Sequence, residues 1–223
     1  MEKLIAVILM AGFSTRFGSG KNKQLALFKG KPVFSYSILT FAKNKNIDQL
    51  IIVINESNKN DIQLYLEKEN IAAKVILGGK TRQESVEKAL EVINADDDDI
   101  VMIHDGARPL VDDDIINKLF LAAKNYGASS TYVSSSDTVA IKNDEGDVLE
   151  FLNRKNIALI QTPQAFKFSI ISRAHKTLIN DATDDCSLVL KLKENVRLIE
   201  GDKKLHKITT KEDILYLEGL MSR

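Results

Sequence analysis

The chain has no surplus of either charge: 31 Lys and Arg stand against 31 Asp and Glu in 223 residues. A dedicated nucleic-acid binder carries a basic excess that neutralises phosphates, so that class is excluded. Only one cysteine is present, Cys186. An intramolecular disulfide framework is therefore ruled out, and a cytoplasmic location is expected. No apolar run approaches the roughly 20 residues needed to span a bilayer, so no membrane partner is expected. The run 4–11 lies where a signal-peptide core would lie. It follows one Lys offset by Glu2, and it ends in Gly12-Phe13-Ser14-Thr15-Arg16 with no small-residue cleavage pattern. It reads instead as a buried strand. What the chain does have is 44% hydrophobic residues, which separates it from disordered sequences and supplies a core. A chain of this length can bury roughly 70% of its unfolded surface.

Short β-rich runs alternate with helix-length amphipathic segments. Strands are expected at 4–9, 49–54, 73–77 and 99–103, and helices at 32–43, 59–69, 81–93 and 112–125. Apolar-throughout strands alternating with helices predict an α/β fold: a mostly parallel, Rossmann-like sheet with helices on both faces. Ligands of such sheets bind beyond the carboxyl ends of the strands. The loops 10–24, 78–82 and 104–109 should therefore share one rim. The pattern changes at about 134, where two strands, 134–142 and 147–151, flank the turn Asn143-Asp144-Glu145-Gly146 without a crossover helix. This predicts a projecting β-arm at about 134–158. Helices at 168–179, 183–193 and 211–220 and short strands at 196–200 and 207–209 complete a single domain, 1–223. Thr209 or Thr210 is expected to cap the last helix.

Three segments carry chemistry. The loop after the first strand holds Ala11, Gly12, Gly18 and Gly20 with Arg16, Lys21 and Lys23, a combination suited to polyphosphate. It is neither a Walker loop nor a dinucleotide fingerprint, which argues against a dehydrogenase. Gly78-Gly79 before Thr81, Arg82 and Ser85 predicts a backbone nest at a capped helix N-terminus. Asp105, within His104-Asp105-Gly106-Ala107-Arg108-Pro109, sits at the tip of a buried strand, where a carboxylate needs a partner. It could hold a metal or a ribose hydroxyl, or pair with Arg108. His104, His175, His206 and Cys186 have no zinc-ligand spacing, and His104 and Cys186 read as structural. With no nucleophile–base pair in evidence, catalysis by positioning and charge stabilisation is expected.

Taken in order, these segments resemble the 2-C-methyl-D-erythritol 4-phosphate cytidylyltransferase family nearly end to end. The matching residues are Ala11-Gly12 with Arg16, Asn22-Lys23-Gln24, Gly78-Gly79 with Arg82 and Ser85, and residues 104–109. Further matches are Asp137-Thr138, Arg154, Gln161-Thr162-Pro163-Gln164, Thr183-Asp184-Asp185 and Lys207-Ile208-Thr209. Asn22 stands where the family usually has Pro, which should loosen the turn aiming Lys23, and Ser14 replaces a frequent Gly.

The resemblance implies attack of a sugar-alcohol phosphate on the α-phosphorus of CTP, with pyrophosphate leaving and Mg²⁺ held mainly on the CTP phosphates. It implies catalytic roles for Arg16, Lys23 and Lys207. Nucleotide contacts would come from Ala11, Gly12, Gly79, Arg82, Ser85, Asp105, Ala107 and Arg108, with Asp105 also a metal ligand. Acceptor contacts would come from Thr138, Arg154, Thr162, Thr183 and Asp184. Thr138 and Arg154 would reach across from the arm of a second subunit, implying a homodimer. A ribitol-5-phosphate cytidylyltransferase and a non-catalytic nucleotide-binding module are the alternatives weighed against this reading. The proposed cations would converge on the phosphates, with the aspartate runs balancing them elsewhere.

Overall fold

The computed structural model describes residues 2–12, 17–18, 22–177, 182 and 184–222. In chain order the elements are β1 (Leu4–Leu9), β2 (Leu27–Phe28), β3 (Lys31–Pro32), α1 (Val33–Lys43), β4 (Gln49–Ile54), α2 (Lys59–Lys68), β5 (Lys74–Leu77), α3 (Arg82–Val92), β6 (Ile100–Asp105) and α4 (Asp113–Tyr126). They continue with β7 (Ala128–Ser134), β8 (Val139–Lys142), β9 (Val148–Leu152), β10 (Ala158–Lys167), α5 (Phe168–Thr177), α6 (Asp185–Lys191), β11 (Arg197–Glu200) and α7 (Lys211–Met221).

Seven strands form one sheet in the order β11-β7-β10-β6-β1-β4-β5. Strand β10 runs antiparallel to both its neighbours, and the other pairings are parallel. Strand β1 shows why the sheet lies in the middle: all six of its residues are buried. Leu4, Ala6 and Ile8 pack with Phe34, Ile38 and Phe41 of α1 and Ile116 and Leu119 of α4. Ile5, Val7 and Leu9 face Val86 and Ala89 of α3, Ile171 of α5 and Leu188 of α6. Alternate side chains thus serve opposite layers, and each large aliphatic so buried contributes about 1.5–3 kcal/mol. Among the described residues no helix is long and apolar enough to cross a membrane.

Two strands of this sheet have no counterpart in the sequence-based expectation. Strand β7 is written Ala-Ser-Ser-Thr-Tyr-Val-Ser, too polar to stand out as a buried strand. Its Ser129, Ser130 and Thr131 are fully buried nonetheless. Their hydroxyls donate to the carbonyls of Leu119, Gln161 and Pro163 at 2.9, 3.4 and 3.2 Å. Strand β10 contains Pro163, which argues against a central strand. It is accommodated because the β7 register shifts between Ile160 and Gln164, and Pro belongs at such irregularities. The arm is a β8–β9 hairpin, shorter at its start than expected because Ser134 ends β7. The segment 207–209 is not a strand. Ile208 N–H donates to the Ala107 carbonyl at 2.8 Å, which ties the segment beside the end of β6. Thr210 caps α7. The expected helix ends at 178–179 and 183 lie outside the described residues.

In the sheet register Leu9 pairs with both Val53 and Asp105, and Ile54 with Leu77. The ends of β1, β5 and β6 therefore reach one rim. The last turn of β6 is supported from below by His104, which is fully buried and lies 5.1 Å from the Phe41 ring. Its Nε2 donates to the Arg108 carbonyl at 3.1 Å, so Nδ1 accepts from the Thr162 hydroxyl at 3.3 Å. Thr162 Oγ1 in turn accepts the Asp105 N–H at 3.0 Å. This network uses a neutral imidazole, and burial pushes the His104 pKa down to about 4. The unfolded chain binds this proton near pH 6.5. Stability from His104 is thus full above about pH 6.5 and is lost as pH falls toward 4. Denaturant unfolding at pH 7.5 and 4.5 should show a loss roughly 2–3 kcal/mol larger in the wild type than in His104→Gln. Equal losses would contradict this assignment.

Candidate active site

Where the three loops meet, a cavity of about 300 Å³ opens, lined by Ala11, Gly12 and Lys23 of the first loop and by Gly79, Arg82 and Ser85 of the second. Asp105, Ala107 and Lys207 complete its lining. The exit of β1 is fixed by two asparagines that follow β4. Asn55 Nδ2 donates to the Ala11 carbonyl at 3.1 Å and Asn58 Nδ2 to the Met10 carbonyl at 2.9 Å. Asn22 does not leave its turn loose. Its Oδ1 accepts the Gln24 N–H at 3.0 Å and its Nδ2 donates to Ser57 Oγ at 3.1 Å. The resulting Asx turn stiffens the approach to Lys23 by hydrogen bonding, where a proline would do so by its ring.

The Gly78-Gly79 turn packs close to β1. A Cβ on Gly78 would overlap that of Ala11 and stand 2.8 Å from Ser85 Oγ. Thr81 caps α3 as expected, accepting the Glu84 N–H at 3.1 Å. The nest is not open, however. Gly79 N–H donates to Ser85 Oγ at 3.0 Å and Lys80 N–H to Glu84 Oε2 at 2.6 Å. Side chains of α3 thus occupy donors that the sequence left for an anion.

The centre of the site is Asp105, 7% exposed. Lys207 Nζ donates to its Oδ2 at 2.7 Å, Arg82 Nε lies 3.5 Å from Oδ1 and Arg108 Nε lies 3.7 Å from Oδ2. Burial alone would raise the Asp105 pKa, but Lys207, Arg82 and Arg108 outweigh it and hold the carboxyl well below the usual range. Arg82 also forms a 2.7 Å ion pair with Asp185. Although burial opposes its charge, Asp185 and Asp105 raise its pKa above the usual guanidinium range. The counter-charges therefore lie inside the site, which corrects the expectation that distant aspartate runs balance its cations.

A second cavity of about 540 Å³ lies on the other side of Asp105, walled by Arg108, Thr162 and Asp184 together with Ile160 and Leu198. Arg82, Asp105 and Lys207 line both cavities. Arg108 faces the second cavity and not the first, while its Nη1 donates to the Leu205 carbonyl at 2.6 Å. Asp184 caps α6, accepting the Cys186 N–H at 2.8 Å, and burial raises its pKa. Thr138 and Arg154 line neither cavity. Both are exposed near the arm, where Arg154 Nη1 donates to the Ser136 carbonyl at 3.3 Å. Arg16 and Thr183 lie outside the described residues. Among the described residues no group of three or more His, Cys, Asp or Glu could hold a metal. Asp105 offers one carboxylate already engaged by three cations. A divalent ion would fit here only if other ligands, such as nucleotide phosphates, supplied most of its coordination. Sequence reasoning placed Asp185 in the Thr183-Asp184-Asp185 match but gave it no role. The available signal was that an acid opening a helix beneath the sheet must find a cation.

The family model for 2-C-methyl-D-erythritol 4-phosphate cytidylyltransferase matches residues 4–223. The protein of that name from Clostridium perfringens strain SM101 is 38% identical over 223 residues, covering 98% of each chain. That of Clostridium tetani strain Massachusetts / E88 is 36% identical over 228 residues, covering 100% of this chain and 92% of its own. The solved 4-diphosphocytidyl-2C-methyl-D-erythritol synthase of Anaerococcus prevotii DSM 20548 matches with a TM-score of 0.88 at 28% identity, over 100% of this chain and 97% of that one. The match of the family model along nearly the whole length, with relatives 36–38% identical over nearly all of the chain, leads to one assignment: the chain belongs to the 2-C-methyl-D-erythritol 4-phosphate cytidylyltransferase family.

Proposed function

We propose that this chain transfers the cytidylyl group of CTP to 2-C-methyl-D-erythritol 4-phosphate, a step in isoprenoid precursor synthesis. The observation that carries the reading is the shared wall: Arg82, Asp105 and Lys207 line both cavities. One polyanion in each cavity would meet at that wall. An oxygen of the acceptor phosphate attacks the α-phosphorus of CTP, the bond to the β-phosphate oxygen breaks, and pyrophosphate leaves with its electron pair. The product is 4-diphosphocytidyl-2-C-methyl-D-erythritol. A phosphate is already a nucleophile, so no general base is required. The work is to bring two anions together, and the cations at the wall oppose their repulsion. A preorganised donor in such a site is worth about 3–4 kcal/mol.

Lys207 is suited to this role because its ammonium is partly exposed and held by one carboxylate. It can exchange Asp105 for phosphate oxygen without crossing the site. Lys23 also lines the first cavity and would meet the leaving pyrophosphate. Arg16, in the same loop, is assigned its role by family resemblance. Mg²⁺ carried on the CTP phosphates would neutralise charge on the leaving group, with Asp105 the carboxylate placed to contact it. Ala11, Gly12, Gly79, Ser85 and Ala107 would enclose the nucleoside, while Thr162 and Asp184 would receive the acceptor. Arg108, expected among the nucleotide contacts, lines the second cavity and would serve the acceptor instead, and Thr183 is assigned to the acceptor by family resemblance. Thr138 and Arg154 lie away from both cavities of their own chain, which supports a homodimer in which each arm completes the partner's acceptor site. A cytoplasmic location accords with the single unpaired cysteine.

Pyrophosphate release from CTP, followed with 2-C-methyl-D-erythritol 4-phosphate and with ribitol 5-phosphate, tests the substrate assignment. Turnover is expected with the first acceptor, and turnover with ribitol phosphate alone would overturn it. CTP binding without turnover on either would instead indicate a non-catalytic module. The arm is tested by mixing an Arg154→Ala chain with a Lys23→Ala chain. Each is expected to be weak alone, and the mixture should regain up to about a quarter of wild-type activity if chains exchange at random, since one site of each mixed dimer is intact. No recovery despite demonstrated exchange would mean that each site is built within one chain.

A further inference from the structure

Behind the site, on the α3–α5 side of the sheet, lies a third cavity of about 610 Å³ walled by Leu90, Phe168, Ser172 and His175, with Glu87 and Lys176 at its edge. His175 is 5% exposed and stands in the last turn of α5. Its Nε2 lies 3.0 Å from Asp185 Oδ1. Asp185, 1% exposed, opens α6 and turns its other oxygen to Arg82, which opens α3. Arg82 then reaches Asp105 at the end of β6. Four side chains from four elements thus form one line from the outer cavity to the wall between the substrates.

A carboxylate only accepts, so His175 Nε2 carries the hydrogen and donates it to Asp185. Among the described residues His175 Nδ1 has no hydrogen-bond partner, and Glu87 Oε1 is 3.8 Å away. The Arg82–Asp185 contact is close, at 2.7 Å, but poorly directed: among the described residues neither Arg82 Nη2 nor Asp185 Oδ2 has a hydrogen-bond partner of acceptable geometry. Such an ion pair holds the guanidinium only as firmly as its carboxylate is itself held. The bond from His175 fixes the Asp185 carboxylate, and that carboxylate fixes Arg82. Without His175, Asp185 Oδ1 would be an unsatisfied buried acceptor, which is costly. The carboxylate could relieve that cost only by turning toward Arg82 and drawing the guanidinium away from the wall.

We propose that His175 is a positioning residue for nucleotide binding, acting through Asp185 to hold Arg82 at the wall shared by the two cavities. This rests on the transferase reading, so wild-type turnover of CTP is measured first, and its absence would count against that reading alone. His175→Leu, which cannot donate, should raise the KM for CTP about tenfold with a smaller change in kcat, because a hydrogen bond to a charged group has been lost. His175→Gln, whose amide donates from nearly the same place as Nε2, should return KM to within about threefold of wild type. Should the leucine variant fail to fold, His175→Ala carries the comparison, since added imidazole can enter the outer cavity and should lower its KM. A merely structural role would reduce the active fraction and leave KM unchanged. An unchanged KM in folded Leu or Ala variants, or equal defects in Leu and Gln, would overturn the proposal.

Discussion

A buried carboxylate at the end of a central strand governs this molecule. Asp105 cannot remain ionised at 7% exposure without compensation, and Lys207, Arg82 and Arg108 cannot stay so close together without a negative charge between them. Each side of the cluster makes the other tenable. Arg82 shows the tension most clearly, because a cation in the first turn of a helix opposes the helix dipole. Asp105 and Asp185 together reverse that preference. The result is a set of cations held in place before any substrate arrives, which is the condition under which electrostatic stabilisation is most effective.

The fold supplies the cluster with its geometry. Parallel strands deliver β1, β5 and β6 to one rim, so the loops that follow them meet without a long connection. Strand β10, running the other way, brings Thr162 beneath Asp105 and walls the second cavity. The Ile208–Ala107 hydrogen bond sets the C-terminal segment beside the rim and so delivers Lys207. Asp213 anchors the same segment from the far side. It accepts the N–H groups of Thr209 and Thr210 at 2.7 and 2.8 Å and lies 2.7 Å from His206 Nε2.

Much of this was legible in the residues. The apolar run at β1, the alternation through α4, the shared rim, the Thr81 cap and the importance of Asp105 all follow from pattern and burial cost. Strands β7 and β10 escaped because their evidence is tertiary. Ser129, Ser130 and Thr131 look like loop residues until Leu119, Gln161 and Pro163 supply their acceptors, and Pro163 looks like a strand breaker until the register shift accommodates it. Local sequence also read the Gly78-Gly79 turn as open, when Ser85 and Glu84 close it from one turn further along α3. Asn22 shows the reverse. It was expected to loosen its turn, yet its side chain builds that turn by accepting the Gln24 N–H. Asp185 stood in the Thr183-Asp184-Asp185 match without a role and His175 in no motif, because the roles of both depend on α5 and α6 packing against α3.

The central claim is that Asp105 and Lys207 act as one unit, the carboxylate holding the ammonium where the two anions meet. A double-mutant cycle on kcat/KM tests it directly, using Asp105→Asn, Lys207→Ala and the pair. Lys207→Ala should cost about 10²–10³-fold, and adding Asp105→Asn to it should cost far less than Asp105→Asn costs alone. Independent, multiplying losses would contradict the claim.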